Sequence, residues 1–266
     1  MSDILHKLLS SKAKALKSER ERESMESLAE RAQAQRAQRR SLRAALECSH
    51  GPAVIAEIKR ASPSRGLIAR SFDPAAIARG YADAGVDAIS VLTEADHFLG
   101  DLAYLAVARA QAPVPILRKD FLTDAYQVVQ SAAYGADAIL LIAAILDDAT
   151  LRTLLAEAAK WNLEALVEVH DEGELTRANA AGATLIGVNN RDLRTFETDL
   201  SVTEHLLEFA APGAFIVSES GVGNPADAHR LFRKGARAFL IGESLMRSED
   251  PRAFVRAIKD TVPVSL

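Results

Sequence analysis

The sequence contains a single cysteine, Cys48, among 266 residues, so no disulfide can form within the chain. It has no apolar run close to the roughly 20 residues that a membrane-spanning helix requires, and its N-terminus lacks the apolar segment of a signal peptide. The net charge of −4 argues against wholesale binding to nucleic acid or to an anionic membrane. These absences predict a cytoplasmic protein without nucleic-acid or membrane partners.

Signatures of metal and covalent catalysis are also missing. The histidines are scattered, there is no cysteine pair, and no His-Glu-x-x-His segment occurs. The segment Ser218–Gly221 does not have the Gly-x-Ser-x-Gly spacing of a nucleophile elbow. We therefore expect neither a metal nor a cofactor.

The first 48 residues contain neither glycine nor proline and are rich in Lys, Arg, Glu, Gln and Ala. Apolar residues at helical spacing predict amphipathic helices that pack on a larger body. These residues are Ile4, Leu5, Leu8, Leu9, Leu16, Met25, Leu28, Leu42 and Leu46. The basic run Arg36–Arg40 resembles an RNA contact, but glutamates nearby dilute its charge and favour a solvated helical face. We predict a helical extension over residues 1–48 and a catalytic body over residues 49–266.

From Val54 onward the chain repeats one pattern: a helix end, a glycine, a short turn and an apolar strand. The four copies begin at Ala84, Tyr134, Ala181 and Lys234, about 50 residues apart. Four more strand-like runs lie between them: Val54–Lys59, Pro115–Asp120, Ala165–His170 and Phe215–Ser220. Strict alternation of strands and helices implies a parallel sheet, and about eight units fit a closed α/β barrel, the (β/α)8 TIM barrel with an N-terminal helical extension. An open doubly wound sheet is the alternative, but no glycine-rich dinucleotide loop follows the first strand.

Polar side chains cluster where the predicted strands end, which is where barrel enzymes carry their chemistry. They are Glu57, Lys59, Glu94, Lys119, Asp120, Glu168, His170, Asn189, Asn190, Arg191, Glu219, Ser220 and Glu243. These strands would thus aim charged or amide groups at one mouth, and a purely structural core would avoid that because buried charges are costly. A catalytic site explains the coincidence better.

Each of these residues has a simpler explanation when taken alone. Glu57 and Lys59 alternate onto one face of a strand and could be a structural ion pair. His170, next to a predicted helix start, is more typical of a cap or a surface residue than of a catalyst. Asn190 and Asp192 could be turn formers.

The ends of the last two strands indicate the kind of ligand. Ser220–Gly221 and Gly242–Ser244 place small residues and backbone N–H groups at the usual phosphate site of a barrel. Glu243 would repel a phosphate, so only its backbone is expected to contribute. Lys59 and Lys119 would complement a small phosphorylated anion.

Six segments, in order and each at a strand end, resemble the indole-3-glycerol phosphate synthase family. They are Ala56–Ser64, Ile116–Phe121, Val167–His170, Gly187–Leu193, Ser218–Val222 and Ile241–Met246. The resemblance covers the whole barrel, and the N-terminal helices resemble the extension of this family. It implies a carboxy-lyase of tryptophan biosynthesis that closes the ring of 1-(2-carboxyphenylamino)-1-deoxyribulose 5-phosphate with loss of carbon dioxide and water.

The resemblance also implies roles for individual residues. Lys119 would be the general acid, and Glu168 the base or the stabiliser of developing positive charge. Lys59, partnered by Glu57, would hold the substrate carboxylate and contribute to phosphate binding. The remaining residues implied in the site are Asn189 and Glu219 in the catalytic group, Ser62, Phe98, Phe121, Arg191 and Ser220 for substrate, and Gly221, Gly242 and Glu243 for phosphate.

Two other functions remain open from the sequence. A different phosphosugar barrel enzyme, such as phosphoribosylanthranilate isomerase, would share the phosphate site but would be expected to use a cysteine, and none lies in the barrel. A non-catalytic phosphate-binding barrel would not need Glu57, Lys119 and Glu168 together. The chain ends at Leu266, soon after the eighth helix, so we expect no fused second enzyme. Other tryptophan-pathway enzymes could be partners in trans.

The first helix has two possible positions. Ile4, Leu5, Leu8 and Leu9 share a face that could cover the barrel mouth near Phe98 and Phe121. Alternatively, this face packs on the outer wall and contributes only to stability.

Overall fold

The computed structural model describes residues 3–63, 66–69, 71–192, 195 and 197–260, with side chains from residue 7 onward. In this part of the chain eight parallel strands close into a barrel. They are β1 (Ala53–Ile58), β4 (Ala88–Leu92), β5 (Ile116–Lys119), β6 (Ala138–Ile142), β7 (Glu164–Val169), β8 (Leu185–Asn189), β9 (Phe215–Glu219) and β10 (Ala238–Ile241). β1 pairs with both β4 and β10, which closes the ring. The predicted barrel is confirmed, and the open sheet is wrong.

Helices surround the barrel, and a short hairpin of β2 (Ala61–Ser62) and β3 (Gly66–Leu67) follows β1. The helices before the barrel are α1 (Asp3–Arg22), α2 (Met25–Gln35) and α3 (Leu42–Glu47). Those between and after the strands are α4 (Pro74–Asp83), α5 (Ala103–Gln111), α6 (Ala125–Ala133), α7 (Asp148–Lys160), α8 (Glu172–Ala180), α9 (Ser201–Leu206), α10 (Pro225–Lys234), α11 (Glu243–Met246) and α12 (Pro251–Lys259). Asp, Asn or Ser side chains cap many of them by accepting backbone N–H groups of the first turn, as Asp147 does for Thr150 at α7.

The alternation of side chains along β1 separates two apolar cores. Val54, Ala56 and Ile58 pack in the layer between the strands and the outer helices. Ile55 points into the barrel instead and packs with inward residues of other strands, such as Leu117. Glu57 continues the inward series, so the strand period of two sets a carboxylate above an apolar floor.

Helix α3 closes the N-terminal end of the barrel. Leu42 and Leu46 are buried against the inward residues Ala53 and Phe215, which stand at the start of their strands. The side chain of Glu164 anchors the helix by accepting bonds from Ser41 Oγ (2.7 Å) and the Arg43 backbone N (2.8 Å). Each buried leucine contributes about 1.5–3 kcal/mol of transfer free energy, so this end of the barrel is a stabilising element.

The basic run before α3 does not form the solvated face expected from the sequence. Arg39 donates to the carbonyl oxygens of Ala132 and Ala136 (2.6 Å each), and Arg40 donates to that of Val114 (2.7 Å). Both arginines are half-buried and satisfy carbonyl groups at helix ends and loops of the barrel. That expectation was wrong because the composition shows that these residues are charged but not which groups they bind in the folded chain.

Helices α1 and α2 lie along the outer surface of α6. The Tyr126 hydroxyl lies within hydrogen-bond distance of two carbonyl oxygens, those of Glu19 (3.0 Å) and Glu23 (2.9 Å), and its single proton holds the end of α1. Leu28 is fully buried, as its helical spacing predicts, whereas Met25 is exposed and its predicted packing is wrong. The boundary predicted at residue 48 falls between α3 and β1 and stays a prediction.

Candidate active site

Inward-facing residues at the C-terminal ends of the strands surround one cavity of about 480 Å³. This volume falls within the range of small-molecule sites, roughly 300–1,000 Å³. All the residues to which the resemblance assigns a role line it: Glu57, Lys59, Ser62, Phe98, Lys119, Phe121, Glu168, Asn189, Arg191, Glu219, Ser220, Gly221, Gly242 and Glu243. Glu94, His170 and Asn190, which were also expected to point to the mouth, are not part of its lining. The structure thus brings the predicted set together, while their individual roles stay a prediction.

Lys119 occupies the centre of the charged group. Its Nζ lies 3.0 Å from Glu168 Oε2 and 3.0 Å from Glu219 Oε2, so one ammonium bridges the ends of β7 and β9. Asn189 on β8, between them, donates from Nδ2 to Glu168 Oε1 at 3.0 Å. Side-chain alternation makes this possible because the residues at these strand ends all point inward.

The Glu57–Lys59 pair lies beside this group. Lys59 Nζ donates to Glu57 Oε1, and Glu57 is almost fully buried whereas Lys59 is partly open to the cavity. A Cβ atom added at Gly242 would overlap Glu57 Oε1 and would stand 3.1 Å from Lys59 Nζ. Gly242 is therefore required for space, and it places the Lys59 ammonium beside the backbone of the predicted phosphate end.

Opposing effects set the charge state of Lys119. Burial disfavours its charged form, but the negative charges of Glu168, Glu219 and Glu57 outweigh burial and raise the pKa of Lys119 above its usual value. The cavity therefore holds a protonated lysine at neutral pH.

Glu168 and Glu219 differ in charge state although both bond to Lys119 and both are buried. Burial raises the pKa of each carboxyl group, but Lys119, His170 and Asn189 together lower the pKa of Glu168 below its usual value. For Glu219, burial and the negative charges of Glu168 and Glu57 prevail over Lys119 and raise the pKa to about 7. Glu219 Oε1 is buried and makes no hydrogen bond within the described residues.

Gly187 leaves the space that the Glu219 side chain occupies. A Cβ atom at this position of β8 would overlap Glu219 Oε1. Without a side chain at residue 187, the carboxylate of the neighbouring strand can turn inward toward Lys119 at 3.0 Å. The packing of two strands thus fixes a carboxyl group that has little hydrogen-bond support of its own.

One end of the cavity is apolar. The rings of Phe98 and Phe121 lie with their centroids 6.3 Å apart and their planes tilted by 44°. Leu8 of helix α1 joins them in the cavity lining and is buried. The first helix therefore reaches the mouth at Leu8, while the side chains of Ile4 and Leu5, predicted to lie beside it, fall outside the described residues.

The other end of the cavity presents small residues and backbone groups. Gly221 follows β9 with a φ of 88°, and the preceding Ser220 has a φ of 62°, so both residues adopt the left-handed conformation. A Cβ atom at Gly221 would stand 3.0 Å from Leu200 Cδ2, so the position has little room for a side chain. Such a turn, next to the Gly242–Ser244 segment, suits close approach of an anion to the backbone.

A buried ion pair attaches α1 next to Lys119. Lys12 Nζ lies 2.8 Å from Asp120 Oδ2, which also accepts from Arg118 at 3.0 Å and from Thr93 Oγ1. Burial alone would raise the pKa of Asp120, but Arg118 and Lys12 lower it to about 2. The carboxylate beside the central lysine is therefore engaged by α1 and its own strand.

His170 is neither a helix cap nor a surface residue. The cap of α8 is Asp171, which accepts from Glu174 N. The His170 ring lies half-buried behind Glu168, with Nδ1 3.0 Å from Glu174 Oε2. The simpler explanation of this histidine from sequence is wrong.

Sequence reasoning missed several lining residues. Leu140 and Leu240 form part of the floor, and Thr198 and Arg247 border the side near Gly221. Strands buried on both faces read as continuous apolar runs, so periodicity does not mark which leucines point inward. Arg247 carried no motif, since it stands one helix beyond the strand end.

Among the residues that the structure describes, no helix has both the length and the apolar character needed to cross a bilayer. That part of the chain also contains no group of three or more His, Cys, Asp and Glu side chains arranged to hold a metal ion.

The fold and the site together define a class of protein. The fold is a (β/α)8 barrel, and its cavity holds an ammonium group between buried carboxylates. This combination defines an enzyme barrel suited to acid–base chemistry on a small molecule.

Comparison with solved structures supports the fold alone. The 3-hexulose-6-phosphate synthase from Salmonella typhimurium superposes with a TM-score of 0.64 at 14% identity, covering 78% of this chain and 96% of that one. KGPDC from Streptococcus mutans gives a TM-score of 0.59 at 19% identity, covering 79% and 97%.

Sequence comparison then identifies the family. The family model described as indole-3-glycerol phosphate synthase matches residues 5–258. Proteins of that name are 45% identical in Polaromonas sp. strain JS666 (94% of this chain, 96% of that protein) and 46% identical in Desulfotalea psychrophila (93% and 95%). The Azospirillum brasilense protein is 44% identical over 97% of this chain and 99% of its own length. The chain belongs to the indole-3-glycerol phosphate synthase family.

The family assignment confirms the predicted function and enzyme class, a carboxy-lyase of tryptophan biosynthesis that acts on a small phosphorylated substrate. It also removes the two alternatives, the isomerase and the non-catalytic barrel.

Proposed function

We propose that the cavity binds 1-(2-carboxyphenylamino)-1-deoxyribulose 5-phosphate in one orientation and that Lys119 is the general acid of ring closure. The observation that carries this proposal is the position of Lys119 Nζ, 3.0 Å from Glu168 and 3.0 Å from Glu219, between an apolar end and a backbone-rich end of one cavity. The substrate has an aromatic ring, a carboxylate and a phosphate, which match the three parts of that cavity.

The aromatic ring would lie against Phe98, Phe121 and Leu8, since this end of the cavity offers apolar surface. The phosphate would lie against Gly221, the Gly242–Ser244 backbone and Lys59. The anthranilate carboxylate would then approach Lys59 and Lys119, two of the cations that line the cavity. This orientation sets the ketone near Lys119.

In the first step, the ring carbon that bears the carboxylate attacks the ketone carbon, and the ketone oxygen takes the proton of Lys119. A developing alkoxide is a stronger base than an amine, so the transfer is favourable even though carboxylates raise the pKa of Lys119. The attack leaves positive charge on the anilino system, which the carboxylate of Glu168 stabilises. Loss of carbon dioxide then returns an electron pair to the ring.

In the second step, the hydroxyl group formed from the ketone leaves as water and the indole ring becomes aromatic. Departure of hydroxide requires a proton, and a lysine supplies it. The proton lost from the substrate passes to Glu168, so one proton is taken up and one is released. Lys59 holds the substrate carboxylate and the phosphate end, Glu57 orients Lys59, and Asn189, Arg191, Glu219, Ser62 and Ser220 position the substrate.

Product formation tests the proposal, because closing the indole ring changes the fluorescence of the anthranilate-derived substrate. The chain should convert the substrate, and Glu168→Gln should lower kcat by roughly 10²–10⁴-fold. Glu172→Gln, an exposed residue at the start of α8, is the matched control and should leave the rate unchanged. A Glu168→Gln enzyme with wild-type kcat would contradict the role of Glu168.

We also propose that residues 1–48 form the extension and residues 49–266 the catalytic barrel, working in the cytoplasm without nucleic acid or membrane. Partnership with other tryptophan-pathway enzymes in trans is part of this proposal. Sedimentation of the chain with and without those enzymes tests it.

A further inference from the structure

His170 lies directly behind the proposed base and outside the lining of the cavity. Its Nε2 is 3.4 Å from Glu168 Oε1, and its Nδ1 is 3.0 Å from Glu174 Oε2. Glu174 also accepts the His170 backbone N–H at 2.9 Å, so the first turn of α8 fixes both the ring and its backbone. The three side chains form a line from the cavity to the first turn of α8.

The partners of the ring determine its protonation. An ionised Glu174 can only accept, so Nδ1 carries a proton. Nε2 is buried and makes no hydrogen bond among the residues described, and it points toward a carboxylate oxygen. A lone pair in that place would face negative charge, whereas an N–H would be attracted to it. Burial lowers the pKa of His170, but Glu168 and Glu174 outweigh burial and raise it to about 10, so the imidazolium form follows from both lines of reasoning.

The other charged groups near this line are already engaged. Strand β6 and the 3₁₀ turn after it, Ala143–Ile145, carry no ionisable side chain. Arg177 on α8 bonds to Asp148 and to backbone carbonyl oxygens instead. Among the described residues, Glu168 bonds to Lys119 on β5 and to the neutral Asn189 on β8, and Lys119 connects it to Glu219 on β9.

We propose that His170, kept protonated by Glu174, is a positioning residue that assigns the negative charge to Glu168 rather than to Glu219. Both carboxylates bond to Lys119 at 3.0 Å and both are buried, so Lys119 alone does not distinguish them. Glu168 has a second cation behind it, and Glu219 Oε1 has no hydrogen-bond partner in the described chain. When Lys119 donates its proton to the substrate, Glu219 is the carboxylate that takes up a proton in response, and Glu168 stays ionised.

This inference rests on the proposed function, in which Glu168 must be ionised to accept a proton. Two carboxyl groups in one site serve different roles when their surroundings separate their pKa values. Here a cation outside the cavity would produce that separation without touching the substrate.

The pH profile of kcat tests the inference. His170→Asn keeps a hydrogen-bond donor near Glu168 but removes the charge. Without the cation the pKa of Glu168 rises, so the acidic limb of the profile should move to higher pH by about one unit. Each unit is a tenfold change in the ionised fraction below that limb. Because the wild-type pKa of Glu168 lies below its usual value, kcat should fall about tenfold only at pH values below the wild-type limb, and it should recover as the pH rises, with KM nearly constant. Glu174→Gln should move the limb in the same direction by less.

Control variants separate the possible outcomes. His205→Asn removes an exposed histidine that is paired with Glu172 at 2.7 Å, and it should leave the profile unchanged. A purely structural role for His170 would lower the melting temperature and reduce kcat equally at every pH, which would overturn the inference. A neutral His170 ring at pH 7 in ¹⁵N NMR would overturn it as well. If Glu168→Gln is inactive and the limb of His170→Asn does not move, only this inference fails; if Glu168→Gln is active, the proposed function fails.

Discussion

Replacing Lys119 by methionine removes the central cation while keeping a similar side-chain volume. Loss of a general acid costs roughly 10²–10⁴-fold in rate. The substitution also leaves Glu168 and Glu219 buried without their shared ammonium, and breaking a buried pair costs about 3–5 kcal/mol when the remaining charge persists. Glu219 can limit this loss by taking up a proton, because its pKa is already raised to about 7 by burial and neighbouring carboxylates. The stability cost should therefore be small at pH 6 and large at pH 8.5.

For Lys119→Met we expect kcat/KM to fall about 10³-fold, measured by the fluorescence of the indole product. At about 2–4 °C per kcal/mol for a chain of this size, a cost of about 3–5 kcal/mol means that Lys119→Met should lower the melting temperature by about 6–20 °C at pH 8.5 and by much less at pH 6. The sign follows from linkage: a carboxyl group whose folded pKa is raised stabilises the fold at low pH and loses that contribution as the pH rises through its folded pKa.

Lys160→Met is the matched control for this prediction. Lys160 is an exposed lysine that pairs with Glu157 at 2.7 Å, and such surface pairs contribute roughly 0–1 kcal/mol. It should change neither rate nor the pH dependence of melting. A Lys119→Met enzyme with more than about a tenth of wild-type activity would refute the assignment of the general acid. A melting-temperature loss that is the same at pH 6 and pH 8.5 would refute the charge argument.

Three other changes give separate tests. Gly242→Asp should raise KM by an order of magnitude or more because its side chain would overlap Glu57 and bring negative charge to the phosphate end; sulfate should compete with substrate at constant ionic strength in the wild type, and absence of competition would contradict this pocket. The melting temperature of Glu219→Gln should depend less on pH between pH 6 and 8.5 than that of the wild type. The wild-type carboxyl group has a pKa of about 7, so it loses its stabilising protonated form in that interval. The same change of melting temperature with pH in both proteins, measured by calorimetry, would contradict this prediction. Leu8→Ala should raise KM several-fold because Leu8 lines the cavity. Leu28 is buried outside the cavity, so Leu28→Ala should lower stability by about 2–5 kcal/mol and leave KM unchanged. If both variants have the same kinetics, α1 contributes only to stability.

The barrel was predictable because its signals are local and repeated. Gly135 and Gly182, two of the predicted helix-ending glycines, have φ values of 90° and 87°, and each precedes an apolar strand as the repeat required. The strand period placed Glu57 and Lys59 on one face, and the structure shows that this face points into the cavity. Motifs at strand ends converge in any barrel, so the site followed from the fold.

Partners that are distant in sequence were not predictable. The spacing of Leu42 and Leu46 showed that a helix packs somewhere, but not that it closes the N-terminal end of the barrel. Arg39 and Arg40 were predicted to be solvated because their partners are backbone carbonyl groups, which every residue carries and which no sequence pattern marks. The protonated state of His170 likewise depends on carboxylates placed by two elements, and only coordinates show that the ring lies between them.

The alternation of side-chain direction along β5 connects the first helix to the active-site cavity. Asp120 accepts a hydrogen bond from Lys12, 108 residues earlier in sequence, and a second one from Arg118, while Lys119 faces inward to the carboxylates. A one-residue insertion in this strand would exchange the two faces, detaching the first helix and removing the cavity's ammonium in a single event. In chimaeras between relatives, the first helix and the β5–α6 segment should therefore be inherited as a pair, and recombinants that split them should fail more often than those that divide the chain elsewhere.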